Sequence, residues 1–237
     1  MDLFPVLLEE YDLTGAPGVD EFRDHIMKGI EDNMHRGHSL AVNGVSSHGG
    51  FDPLGAPASQ NILKAFQECV NHYADKMGNW PCVISGGWYN ILPKGGFTER
   101  HRHESSVVSG AFYIKLPEGD CGNFYVVSPL QQYMMCMHFI KKSIYGDYFY
   151  DVPIKENHLY LFPSWLEHGS RVNNTDDDRI TVSFNTSGVA KEMMPPDFVK
   201  QIWGDGKLWK SYTYYQQQWQ SYLAPFIMIL KILCYQK

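Results

Sequence analysis

The sequence has no CxxC pair, and its five cysteines (Cys69, Cys82, Cys121, Cys136, Cys234) are odd in number and scattered. That excludes both a disulfide framework and a zinc knuckle, so the thiols read as reduced and mostly buried. Dense basic runs are also missing. Beyond Lys141-Lys142 there is no Lys/Arg cluster, and the formal charge is −6. A general attraction to phosphate backbones is therefore absent, and a nucleic-acid partner is not implied. Long apolar runs are lacking too. The last one, Leu223 to Cys234, falls well short of the roughly 20 residues that span a bilayer. No membrane span is expected, and this run reads as a packed helix or one that contacts a second copy of the chain in a homo-oligomer. A basic segment followed by an apolar stretch is not seen at the N-terminus, so no signal peptide is expected and the location reads as cytoplasmic. Without secretion, the glycosylation-like Asn173-Asn174-Thr175 reads as a turn.

What is present points to a β-rich body. Aromatic residues make up 14% of the 237, a high share that suits strands carrying packed rings. The length suits one domain with helical extensions. Residues 1–80 read as a short strand, Phe4 to Leu8, then two helices and a loop over Gly44 to Pro57. The first helix would be capped by Asp20 and carries Phe22, Ile26 and Ile30 on one face. Ser59 would cap the second, whose stripe is Ile62, Phe66, Val70, Tyr73 and Met77 and whose end is Gly78. From Cys82 the texture changes to strands, expected over Val83 to Leu92, Ser106 to Leu116, Gly122 to Ser128, Asn157 to Phe162 and Arg179 to Asn185. Helices between them are missing, which excludes a parallel βαβ sheet and favours an all-β sandwich or barrel. The Met- and Tyr-rich stretch Pro129 to Pro153 reads as a pocket lid or as a hairpin over the core. The expected organisation is one domain over 1–188, with helical support in 1–80 and a β core in 82–188, followed by a helical C-terminal extension over 189–237.

Three histidines carry the chemistry. His101 and His103 are two residues apart, and in extended chain that spacing puts both imidazoles on one face. A third, His168, follows the apolar strand Leu159 to Pro163, and Arg179 opens the next strand with Thr181 on its face. Any single histidine is more often a surface or hydrogen-bonded residue than a ligand. The joint spacing is what suggests a metal site. For Arg179 the competing reading is a surface salt bridge to Asp176, Asp177 or Asp178.

This pattern, with Asn90 and Gly95 upstream, Ser109-Gly110 followed by Phe112-Tyr113, Phe162-Pro163-Ser164 before His168, and Ser183-Phe184-Asn185 after Arg179, resembles the 2-oxoglutarate/iron(II) oxygenases. In particular it looks like a bacterial and phage branch related to prolyl 4-hydroxylases. The resemblance covers about Val83 to Asn185. It implies a double-stranded β-helix (jelly roll), iron(II) held by His101, His103 and His168, and 2-oxoglutarate as co-substrate. Arg179 would bind the distal carboxylate of the keto acid, aided by Thr181 or Tyr113. Asn90 stands where the nucleic-acid-demethylating branch has an asparagine that binds 2-oxoglutarate. The implied activity is a dioxygenase, more narrowly a hydroxylase, acting on a small molecule or a protein side chain.

One departure stands out. The family at large has His-x-Asp or His-x-Glu, and this chain has His103 at the acid position, while Glu104 would point to the opposite strand face. Three neutral imidazoles leave a ferrous site one positive charge higher than the usual set and favour zinc or copper more. A cupin-like three-histidine metalloenzyme that needs no keto acid, and a non-catalytic jelly-roll binding module, are the alternative readings.

Overall fold

A computed structural model describes residues 5–79, 82–131 and 146–188. In chain order they form β1 (Glu9–Asp12), α1 (Val19–Glu31), β2 (Arg36–Gly37), β3 (Ala41–Val42), β4 (Val45–Ser46), α2 (Gln60–Lys76), β5 (Cys82–Leu92), β6 (Phe97–Thr98) and β7 (Val108–Lys115), then β8 (Phe124–Val127), β9 (Phe149–Val152), β10 (His158–Pro163), β11 (His168–Ser170) and β12 (Arg179–Gly188). The expected C-terminal helical extension, 189–237, and residues 132–145 of the expected lid or hairpin lie outside the described residues. At the base of that stretch β8 and β9 pair antiparallel, with Val127 opposite Phe149.

The large sheet runs β1-β10-β7-β12-β5-β4-β2, and a three-stranded sheet runs β11-β8-β9. Neighbours in the large sheet are antiparallel and mostly non-consecutive in sequence. Strand alternation sorts its side chains into two layers. One face carries Phe112 and Ile114 of β7, Leu159 and Leu161 of β10, and Val182 and Phe184 of β12, and packs on Phe22, Ile26, Ile62, Phe66 and Val70 of the two helices. Phe66 lies 5.1 Å from Phe112 and 5.5 Å from Phe184, ring to ring. Burying each such ring stabilises the fold by ~1.5–3 kcal/mol. The opposite face carries Ala111, Tyr113, Tyr160 and Phe162, which pack on Phe124 and Val152 of the smaller sheet. The candidate site lies on this second face.

Several local expectations need correction. Among the described residues the first strand is Glu9–Asp12; of the expected strand Phe4 to Leu8, Phe4 lies outside the described residues, and Leu7 and Leu8 are used as core plugs instead, one packed against each hydrophobic cluster. Helix α1 begins at Val19 after Gly18 in the left-handed conformation (φ 88°), with no side-chain cap. Asp20 sits inside the first turn, where its charge complements the positive end of the helix dipole. Ser59 occupies the cap position of α2 but turns its hydroxyl to Pro53 O at 2.6 Å. Met77, expected in the apolar stripe, is exposed because the helix has already ended at Lys76. The loop after Gly44 gives up Val45 and Ser46 as a short strand between β5 and the edge strand β2, helped by Ser46 and Ser47 hydroxyls that bond the Tyr89 backbone. Asn173 is the turn residue expected, its amide donating to Leu92 O and Asp177 O at 2.8 Å.

Candidate metal centre and carboxylate pocket

His101 and His103 lie ahead of β7, which begins only at Val108. They lie in extended chain pinned elsewhere. His101 and His168 exchange backbone hydrogen bonds at 2.9 Å in both directions, and His103 N donates to Ser164 O at 2.9 Å. The result gathers three rings with centroids 4.3, 4.9 and 5.2 Å apart, and one nitrogen of each lies within 4.8 Å of the others.

The rings are oriented from behind. His101 Nδ1 lies 2.7 Å from Glu99 O and His168 Nδ1 2.8 Å from Leu166 O. A carbonyl only accepts, so each Nδ1 carries the proton and Nε2 keeps its lone pair, as a metal ligand requires. His103 Nδ1 faces the Asn185 carboxamide at 3.3 Å. Burial, reinforced by repulsion from His101, pushes His168 down to about 3 and His103 down to about 4, and burial also lowers His101. All three are therefore neutral and able to ligate at pH 7. Among the described residues no carboxylate joins them. Glu104 is 81% exposed and reaches toward Arg102 instead. The aromatic wall of Phe162, 4.6 Å from His168, and Phe124, 5.9 Å from it, keeps this side dry.

Arg179 is 1% exposed, and its surroundings overturn the surface salt-bridge reading. Asp176 pairs with Lys94 at 2.6 Å and Asp177 with Lys115 at 3.6 Å, whereas Arg179 has no ion-pair partner among the described residues. Its guanidinium donates to Cys121 O at 2.8 Å, to Gly122 O and to Ser170 Oγ at 2.6 Å, and its Nε is buried without a partner. A buried cation satisfied only by neutral oxygens is costly unless an anion completes it. Gly122 makes the close approach of this loop feasible, because with φ +80° and a notional Cβ 2.3 Å from Arg171 O, no other residue fits.

Thr181 sits opposite Asn90 on one side and Tyr113 on the other, so the three share one row across β5, β12 and β7. Burial pushes the Tyr113 hydroxyl up, partly opposed by the Arg179 charge. Asn90, Tyr113, Thr181, Arg179 and the three histidines all line one cavity of about 450 Å³. Sequence reasoning missed Ser170, Asn185 and the wall formed by His38, His48 and Trp88. Ser170 had a signal, standing two residues beyond His168 in extended chain and so on the same face. The donor set and the unpaired guanidinium both fit their implied ligands: neutral imidazoles for a divalent metal, an anion acceptor for a carboxylate.

Comparison with known proteins bears on the family and the fold. Residues 86–185 match the family described as "Putative 2OG-Fe(II) oxygenase". None of the curated proteins matches the chain by sequence. Among solved structures, a Pseudomonas putida prolyl-4-hydroxylase superposes with a TM-score of 0.58 at 13% identity, covering 80% of this chain and 96% of its own. The α-ketoglutarate-dependent epimerase SnoN of nogalamycin biosynthesis gives 0.58 at 10% identity, covering 77% of each chain. HygX of Streptomyces hygroscopicus, solved with nickel and 2-oxoglutarate bound, gives 0.51 at 14% identity, covering 78% of this chain and 83% of its own. The shared architecture is the oxygenase jelly roll, with the helices as an added layer. Residues 86–185, the stretch that holds the three histidines, Asn90, Tyr113, Arg179 and Thr181, match the 2-oxoglutarate/iron(II) oxygenase family model, and the chain shares the fold of solved members of that family.

Proposed function

We propose that His101, His103 and His168 hold the iron(II), that Arg179 binds the distal carboxylate of 2-oxoglutarate, and that the chain hydroxylates an organic substrate with coupled decarboxylation of the co-substrate. The observation that carries this reading is the buried guanidinium without a counter-ion in the same cavity as three neutral imidazoles. When bound, the metal and keto acid supply an oxidant by coupling reduction of dioxygen to release of succinate and carbon dioxide. This chain's residues do the positioning. Arg179 offers a planar fork that a carboxylate meets with two parallel bonds. Thr181, Tyr113 and Asn90 add polar groups along the row that lies beside it. Phe124 and Phe162 exclude water from the metal side. Substrate enters past His38, His48 and Trp88, where the ring contacts of 4.9 Å form a polar aromatic rim. Such a rim suits a small molecule or a side chain presented by a protein, and the hydroxylase and epimerase among the fold's neighbours suggest that the substrate seated there decides the outcome.

A keto-acid-independent three-histidine enzyme would leave Arg179 a buried, uncompensated charge without a task, which is why the oxygenase reading is preferred. A cytoplasmic setting is in keeping with Cys69 and Cys121 standing as thiols. Among the described residues no helix is long and apolar enough to cross a membrane. The test is an anaerobic iron(II) titration with and without 2-oxoglutarate. A ligand that binds only the native state raises the thermal midpoint, by an amount equivalent to ~2.7 kcal/mol at a hundredfold excess over Kd. Arg179→Lys should lose most of the 2-oxoglutarate-dependent rise and keep the metal-dependent one, because a point charge does not reproduce the fork. An unchanged keto-acid response in this variant would remove Arg179 from the binding site.

A further inference from the structure

A ring nitrogen is available to a metal only if the proton sits on the other nitrogen, and for His103 the neighbour that decides this is Asn185. The Asn185 carboxamide lies between His103 Nδ1, 3.3 Å from its Nδ2, and Ser109 Oγ, 2.9 Å from its Oδ1. Beyond Ser109 a row of hydroxyls continues inward. Ser109 Oγ is 2.8 Å from Ser164 Oγ, and Ser164 Oγ donates to Ser106 Oγ at 2.8 Å. Ser106 Oγ accepts the Thr186 N–H at 3.0 Å and donates to Val108 O at 3.1 Å. Ser109 and Ser164 are buried, at 1% and 0% exposure.

Each hydroxyl has one proton to give. Ser106 spends its proton on Val108 O and Ser164 spends its own on Ser106. Ser109 must then donate to Ser164 and has none left for Asn185. With Oδ1 toward Ser109, that hydroxyl would have to donate in two directions. A half-turn of the carboxamide, which exchanges oxygen and nitrogen at nearly the same positions, removes the conflict. The amide nitrogen then donates to Ser109, and the amide oxygen faces His103. An amide oxygen next to Nδ1 is satisfied only by Nδ1–H.

We propose that Asn185 is a positioning residue: it turns its amide oxygen to His103, fixes the ring proton on Nδ1 and leaves Nε2 as the lone-pair nitrogen. His103 thereby has the same tautomer as His101 and His168, whose Nδ1 groups face backbone carbonyls. Ser164 then holds His103 twice, through its carbonyl on the His103 N–H and through the hydroxyl row on the ring. That the free Nε2 serves a metal rests on the proposed function. The orientation of Asn185 does not.

The experiment is a long-range proton–nitrogen NMR spectrum of the full chain, metal-free, labelled in histidine nitrogen, at pH 7.5, with His103 assigned from its missing signals in His103→Gln. The expected result is His103 protonated at Nδ1. Protonation at Nε2 overturns the proposal, because it requires Asn185 to donate to the ring, and it needs no variant that fails to fold. Asn185→Asp, which keeps an oxygen toward Nδ1, should retain the tautomer and zinc affinity within about threefold. Asn185→Ala should give mixed tautomers and weaken zinc binding about 10–100-fold, the usual effect of removing a partner behind a ligand. An alanine variant with the wild-type tautomer and zinc affinity would also overturn it. If wild-type His103 is protonated at Nδ1 but its signals do not respond to zinc, Asn185 stands as assigned and the ligand role of His103 falls.

Discussion

His101 and His168 are 67 positions apart in sequence, yet they exchange both backbone hydrogen bonds at 2.9 Å, outside any longer ladder. The site is thus closed by main chain, and the imidazoles are passengers on that bridge.

The first prediction follows from that arrangement. His168→Ala removes a proposed ligand but neither backbone bond, so the fold should persist while metal binding is lost. A buried ring is deleted, and a cost of about 1–3 kcal/mol is expected from the space left and the Leu166 carbonyl orphaned. Circular dichroism and a metal titration check both halves. Collapse of the fold in the metal-free variant would show that the ring, rather than the main chain, holds the two segments together.

A second prediction concerns acid. An unfolded histidine takes up its proton near pH 6.5. Burial delays His103 until about 4 and His168 until about 3. Between those limits the unfolded chain binds more protons than the folded one, so stability falls as the pH drops from 6.5 toward 4. Carboxylates held low, such as Glu10 by Lys155 and Asp176 by Lys94, lose their contributions only below their ordinary range, near 4. The metal-free thermal midpoint should therefore already fall between pH 7 and pH 5, and His103→Gln should flatten that slope. A midpoint that stays level over this interval in wild type would contradict the burial of the triad.

Much of this was legible beforehand, and the rest was not for identifiable reasons. Strands β5, β7, β10 and β12 announce themselves as short β-branched and aromatic runs between Pro, Gly and Asp clusters, and their observed ends lie within three residues of those expected. A strand's period of two places His101 with His103 and Arg179 with Thr181. What alternation does not carry is the identity of a partner across space. The period of two puts Ser170 on the face of His168 but does not name Arg179 as its partner, and nothing local marks Asn185 as the neighbour of His103. His38 and His48 come from irregular chain around two-residue strands, where no periodicity aims a side chain. The run ending at Leu8 misled because an apolar stretch can plug two cores as readily as form a strand.

Gly110 supplies a third prediction, on how the helix-facing layer supports the site-facing one. A Cβ there would lie 2.3 Å from Phe184 Cζ, a ring buried at 0% exposure. Gly110→Ala should force that ring aside and destabilise the chain by about 1–3 kcal/mol. Because Phe184 precedes Asn185 on β12, metal affinity should weaken as well. Gly37→Ala, with nothing within 4 Å of the new carbon, is the matched control and should be close to neutral in urea unfolding. Equal stability of the two variants would mean that β12 shifts freely at Phe184, against the pairing of Thr181 to Asn185 with both β5 and β7.

The last prediction addresses His103, the position where the family's acid is replaced. If His103 is a ligand, His103→Asp supplies the carboxylate of the common set and lowers the charge of the site by one, whereas His103→Ala leaves a gap. Backbone support is the same in both, since the bond from residue 103 N to Ser164 O needs no side chain. The metal-free order of stability should be the reverse of the metal-bound order. Without metal, an aspartate placed against Trp88 and the other two histidines lacks a cation and is desolvated, so it should cost more than alanine. With iron(II) or zinc present, the carboxylate gains its partner, and the aspartate variant should melt above the alanine variant because only it gains the full binding free energy. This crossing separates coordination from a merely packed histidine, for which metal would leave the order unchanged. Thermal melts of both variants, with and without metal and under anaerobic conditions for iron, read it directly. Undiminished metal occupancy in the alanine variant would move the third ligand elsewhere, and the exposed Glu104 would then have to turn inward to supply it.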